Sequence, residues 1–271
     1  MLSDLSPMVT SPFYKVPISK PFVFMGKKKH RFSSDSIVDA YFKSLDSIHD
    51  PKLLVEVSAV KAKENFYRTY LRDSFRNTKG MQVDFIGQVH INATSSQLAP
   101  EVVYSQLQIK SILDSAKYDV IGWESSALDV LTPLSWMQES WAHIEYMGMQ
   151  PDRDTMFFYN LKLSSVPDDA VLATWIERHD THIIGNQNEE LWTLNLATKK
   201  FYNFDHPFAA ITMHMRSYMA LARVLTDMKK HKHSHGVVVL GELHVEDFRF
   251  CADGLGLKMN IWSTLGDVDN F

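Results

Sequence analysis

Two histidines and a glutamate in this chain have the types and settings for acid–base or metal chemistry. His90 closes a Gly-x-x-His step that starts at Gly87, and His244 closes a second one that starts at Gly241. Glu124 follows directly on the apolar run Val120-Ile121-Gly122-Trp123. Such a set suits a two-histidine, one-carboxylate metal site with positions left open for water. It equally suits metal-free work, in which a histidine takes a proton from water or a substrate hydroxyl. Arg216 adds a planar fork for a substrate carboxylate or a developing oxyanion, although a helix-surface arginine has the same spacing. Glu242, inside the second motif, is a rival carboxylate. Strand alternation would turn it away from Gly241 and Leu243.

Other candidates are weaker. His231, His233 and His235 alternate and would face one side only in an extended strand. Between lysines they read as solvated, or as a pick-up site for a soft divalent ion. His179 and His182 lie three apart with nothing further to support them. Ser125 and Ser126 follow Glu124, but no Gly-x-Ser-x-Gly elbow is present. Phosphate-loop and dinucleotide fingerprints are also missing.

The motifs require strands to carry them. Residues 83–87 and 237–241 are short, apolar and β-branched, as buried strands are. Their histidines then fall at the carboxyl edge of a sheet, where open α/β folds bind ligands. Pro100 opens a helix through Ala116, and Tyr118 to Trp123 is a further strand. Strand, helix and strand make a βαβ unit, so the strands pair in parallel and His90 and Glu124 share an edge on adjacent strands. A helix is expected from Ser34 to Ile48, capped by Ser34 or Asp35, and one longer helix from Pro51 to Arg76. Gly80 is expected as a left-handed cap. Residues 125–180 are rich in methionine and aromatics and read as core packing, or as an apolar lid. Residues 189–206 alternate around Ala197 to Lys200 and predict a β-hairpin insertion. A long helix over Pro207 to Lys230 carries Arg216, and Leu257 to Trp262 closes the chain as a strand. The resulting fold class is α/β, with a central, largely parallel sheet flanked by helices. Residues 1–35, with four prolines, read as an extended arm. Residues 36–271 read as a single domain: a helical segment 36–80, a first half 81–126, an insertion 127–206 and a second half 207–271.

Composition sets limits. The 271 residues carry a net charge of −4, and no basic stripe for nucleic acid stands out; Lys27 to Arg31 is a short solvated run. A lone cysteine, Cys251, excludes an internal disulfide and cysteine-rich metal sites. No apolar run reaches the length of a membrane span, and the start lacks a signal-peptide pattern. The expectation is a cytoplasmic protein.

At Gly87 to His90, Glu124, Arg216 and Gly241 to His244, in that order, the chain resembles the superfamily of TraB and Tiki proteins, erythromycin esterases and ChaN-like haem-uptake proteins. Met219 stands three residues after Arg216, where relatives usually have methionine four after the arginine. The resemblance covers about 83–126 and 208–262. It implies two related halves around one cleft. Tiki-type relatives imply metal-dependent peptide hydrolysis, with His90, Glu124 and His244 holding a divalent ion (Mn, Co or Zn). The esterases imply histidine-assisted attack of water on a lactone. ChaN-like relatives imply haem or iron binding without catalysis. The leading expectation is a metal-dependent hydrolase of a peptide or ester bond, acting on a small-molecule or peptide substrate.

Overall fold

The computed structural model describes residues 22–26, 33–89, 100–125, 170–178, 181–201 and 207–264. His90, Ser126, His179, the basic run and most of the methionine-rich segment lie outside these residues.

Six strands form one sheet: β1 (Phe22–Met25), β2 (Gln82–Gln88), β3 (Val120–Trp123), β4 (His182–Gly185), β5 (His235–Gly241) and β6 (Lys258–Ser263). Their order is β1-β6-β2-β5-β3-β4. All neighbours are parallel except β1, which pairs antiparallel with β6 at the edge. The α/β class with a largely parallel sheet is therefore the observed one. Among the described residues the helices are α1 (Ser34–Asp46), α2 (Leu54–Lys61), α3 (Glu64–Phe75), α4 (Pro100–Ser115), α5 (Ala170–Arg178), α6 (Glu189–Phe201), α7 (Pro207–His231) and α8 (Val245–Leu255). None of the described helices is long and apolar enough to cross a membrane.

The two motif strands, β2 and β5, are central neighbours. Each sends its chain two places outward, β2 past β5 to β3 and β5 past β2 to β6. Glu124 therefore sits one strand further from the end of β2 than a simple βαβ unit would put it. Along the central strands the side chains alternate between two cores. Val83, Phe85, Val238 and Leu240 face the layer built on α1, α2, α3, α6, α7 and α8. Ile86, Val237 and Val239 face the layer with α4 and α5. Burial on both faces explains why these strands read as apolar runs.

Several expectations change. Residues 189–201 form a helix, not a hairpin strand. The alternation is real, but Leu191, Leu194 and Thr198 also recur at helical spacing and are buried. The ends decide the matter: Asn188 Oδ1 accepts the Leu191 N–H at 3.0 Å, acids fill the first turn and lysines the last. The helix expected over residues 51–76 is two helices, α2 and α3. Leu53, Val57, Val60, Tyr67, Leu71 and Phe75 are buried through both, so the apolar stripe does not mark the break. Ser33, not Ser34 or Asp35, caps α1, accepting the Ser36 N–H at 3.3 Å. Gly80 lies in the turn into β2, closed by Met81 N–H to the Thr78 carbonyl, with φ 86°. Residues 22–25 of the expected arm join the sheet as β1.

Asp84, on β2, is wholly buried. Its oxygens accept from Gln82 Nε2 (2.8 Å), Asn260 N (2.9 Å), Asn260 Nδ2 (3.1 Å) and the Tyr118 hydroxyl (3.3 Å), and meet His235 Nε2 at 2.8 Å. Burial alone would raise its pKa. The His235, Asn260 and Gln82 contacts outweigh burial and hold it below the usual carboxylate value. The stabilisation is thus present above the unfolded carboxylate pKa and is lost as pH falls through the lower folded value. Asp84→Ala, which strands these donors, should cost about 3–5 kcal/mol in urea unfolding at neutral pH. A loss below about 1 kcal/mol would show that the donors re-solvate freely.

Candidate functional site

Glu124 follows the last residue of β3, and His244 ends a single 3₁₀ turn, Glu242–His244, that continues β5. Both therefore stand at the carboxyl edge, as the motif spacing implies. Arg216 reaches the same edge from α7. Its Nη2 donates to Glu124 Oε1 at 2.6 Å, and both side chains are nearly buried. The other carboxylate oxygen, Oε2, accepts the Gly241 N–H at 2.9 Å. Glu124 thus holds the backbone at the start of the turn that carries His244. The Arg216 guanidinium stacks on the Trp192 ring of α6 at 4.5 Å, and Lys199 Nζ lies 5.7 Å from the same ring. Burial, and then the Arg216 charge, lower the Lys199 pKa.

His244 is 4% exposed. Its Nδ1 meets Ser217 Oγ at 2.7 Å, and Ser217 Oγ donates to Asp247 Oδ2 at 2.6 Å. The serine has one proton. The Met213 carbonyl also lies 3.1 Å from that Oγ; when the proton is directed to Asp247, the shorter contact, His244 donates from Nδ1 and its lone pair sits on Nε2. Aspartate, serine and histidine do not form a nucleophilic triad here, because the serine lies between the other two and is buried. Asp247 also holds His214: Nδ1 and Oδ1 are 2.6 Å apart. That contact raises the His214 pKa, against partial burial.

Glu242 does not follow strand alternation, because β5 ends at Gly241 and Glu242 already belongs to the turn. Its carboxylate lies over the end of β2, against the Gly87 Cα, where any β-carbon would collide with it. Burial raises the Glu242 pKa, only partly opposed by hydrogen bonds from Ser263 and the Thr264 N–H. The edge thus carries two carboxylates in opposite settings, one paired with a guanidinium and one desolvated.

A second polar cluster sits at the amino edge. His182, Asp227, His231 and His233 could hold a metal ion: one ligand atom from each lies within 4.8 Å of the others. His182 begins β4, Asp227 and His231 share a face of α7, and His233 follows that helix. His235 belongs elsewhere, bonded to Asp84.

Of the residues whose types and spacing suggest chemistry, the fold brings Glu124, Arg216 and His244 to one edge; His90 lies outside the described residues. Ser217, Asp247 and His214 join them only through the fold. Their signal was faint: Asp247 stands three after His244, and His214 and Ser217 flank Arg216. Compared with protein-family models, curated proteins and solved structures, the chain matches none of them.

Protonated His214 is favoured by folding. Its contribution to stability is complete below the unfolded value near pH 6.5 and is lost as pH rises through the raised folded value. Proton titration followed by NMR should therefore give His214 a midpoint above 6.5, and Asp247→Asn should lower it. An unchanged midpoint in that variant would remove Asp247 as the cause.

Proposed function

We propose that the carboxyl edge is the active site of a hydrolase that cleaves an ester or peptide bond, with His244 as the general base. The observation that carries this reading is the Asp247–Ser217–His244 chain, which fixes the orientation of the His244 imidazole. Nε2 takes the proton from water as oxygen attacks the carbonyl. Arg216, backed by Trp192 and with Lys199 beside that ring, supplies positive charge for the developing oxyanion. Glu242, which holds its proton above the usual carboxylate range, suits the return of a proton to the leaving group. The resemblance to the TraB/Tiki and erythromycin-esterase superfamily supports the same edge and adds His90 as the second histidine.

Within that superfamily the geometry favours the esterase-like chemistry. Both Glu124 oxygens are already engaged, by Arg216 at 2.6 Å and by the Gly241 amide. A manganese, cobalt or zinc ion bound through Glu124 would face the guanidinium charge directly, so the described residues do not fit a divalent ion there. Nothing among the described residues favours the haem-binding alternative.

The test is turnover of a panel of aryl esters, lactones and short peptides by chelator-treated protein, with circular dichroism run in parallel. Wild type should hydrolyse at least one class without added metal. His244→Ala and Arg216→Ala should each lower kcat/KM by roughly 100-fold or more while staying folded. Undiminished turnover in His244→Ala refutes the assignment. Activity lost on chelation of still-folded protein, and restored by Mn²⁺, Co²⁺ or Zn²⁺, replaces it with the metal-dependent reading.

A further inference from the structure

We propose that His182, Asp227, His231 and His233 form a zinc-type site that clamps the start of β4 to the end of α7. It lies at the opposite edge of the sheet from the candidate hydrolytic site and does not depend on that reading.

The ligand set is three imidazoles and one carboxylate, a borderline set that selects zinc, cobalt or nickel over calcium and magnesium. Asp227 is its centre. Asp227 Oδ2 lies 3.2 Å from His182 Nδ1 and 3.8 Å from His233 Nδ1, and Oδ1 lies 3.1 Å from His231 Nδ1. A tetrahedral ion with bonds near 2.0–2.1 Å needs ligand atoms about 3.3 Å apart. The two Oδ2 contacts bracket that value, and His231 closes on the same carboxylate through its other oxygen, all four residues offering ligand atoms within 4.8 Å of one another. Hydrogen bonding alone does not account for the cluster. Asp227 Oδ2 and His233 Nδ1 are buried, and neither has a hydrogen bond among the described residues. The three imidazole centroids lie 5.1, 5.4 and 6.2 Å apart. A single dication on neutral imidazoles gives each of these nitrogens and the carboxylate a partner.

The backbone is shaped for this. Asp227 and His231 are one helical turn apart on α7. The helix then ends in a Schellman turn: His233 N–H bonds the Met228 carbonyl at 2.8 Å and Lys232 N–H the Lys229 carbonyl at 3.4 Å. Lys232 occupies the left-handed position, φ 59°, that glycine usually fills. That reversal returns His233 toward Asp227. Asp119 Oδ2 then accepts the N–H groups of Ser234 and His235 at 2.9 and 3.0 Å and fixes the following residues. Four protein ligands would close a tetrahedral shell, as structural zinc sites do, so the role is to hold secondary structure together and not to activate water.

The experiment uses the full chain, stripped with chelator and titrated with Zn²⁺ by calorimetry and with Co²⁺ by visible absorption. One equivalent of Zn²⁺ should bind with a sub-micromolar Kd and raise Tm. Co²⁺ should give the intense visible bands of a four-coordinate ion. His182→Ala and, with less disturbance of shape, Asp227→Asn should each weaken binding by roughly 100-fold or more and abolish the bands. His244→Ala should leave both unchanged. The proposal is overturned if wild type binds no stoichiometric Zn²⁺, or if His182→Ala and Asp227→Asn bind as tightly as wild type, the mark of adventitious capture by the other histidines. It is also overturned if His244→Ala, and not His182→Ala, removes the ion. That last result would count against the metal-free hydrolase as well, whereas the first two outcomes bear on the clamp alone.

Discussion

The buried charge of Asp84 is the constraint on which the sheet depends. A carboxylate in the middle of a parallel sheet is tolerated only when donors surround it. Those donors come from β2 itself, from His235 at the head of β5, from Asn260 on β6 and from Tyr118 just before β3. One charge therefore sets where four segments start relative to one another. The paired strands keep that register to their carboxyl ends, where Gly87 pairs with Leu240 and Gln88 with Gly241, with Glu124 close by. The candidate site is built at one edge of the sheet by an interaction near the other.

The second organising element is α7. It runs 25 residues and carries polar groups toward both edges. Arg216 and Ser217 serve the carboxyl edge, while Asp227 and His231 serve the amino edge roughly 22 Å away along the helix axis. Along the same helix, Met215, Met219, Leu221, Val224, Leu225 and Met228 are buried in the larger core. A rigid, deeply packed helix is a sound mount for groups whose chemistry depends on tenths of an ångström. At the carboxyl edge the two glutamates are separated by their surroundings and not by their type. Glu124 meets a guanidinium and a backbone amide. Glu242 is desolvated against Gly87 and has one buried oxygen without a hydrogen bond among the described residues.

Much of this was legible in the chain. The β-branched runs before Gly87 and Gly241, the carboxylate after Trp123 and the long amphipathic span from Pro207 are strong local signals, because burial on both faces of a strand or one face of a helix demands that composition. Two readings failed where patterns overlap. Residues 189–201 satisfy period two and period 3.6 together, and the caps that choose between them are single residues. The heptad-compatible stripe through residues 53–75 hides the break between α2 and α3. Asp84 went unread because one polar residue in an apolar run has no partner visible in sequence.

What the sequence determined by itself was the class of fold and the edge of the sheet at which His244 and Glu124 stand, since short-range periodicity specifies strands and helices and a parallel crossover specifies direction. The tertiary structure alone decided the partners. That β5 inserts between β2 and β3, that Ser217 joins His244 to Asp247, and that His182 meets His231 and His233 around Asp227 are contacts between residues tens to more than a hundred positions apart. No local propensity encodes such pairings. They follow from how the helices and strands pack, and from the requirement that each charge taken out of water find a compensating neighbour.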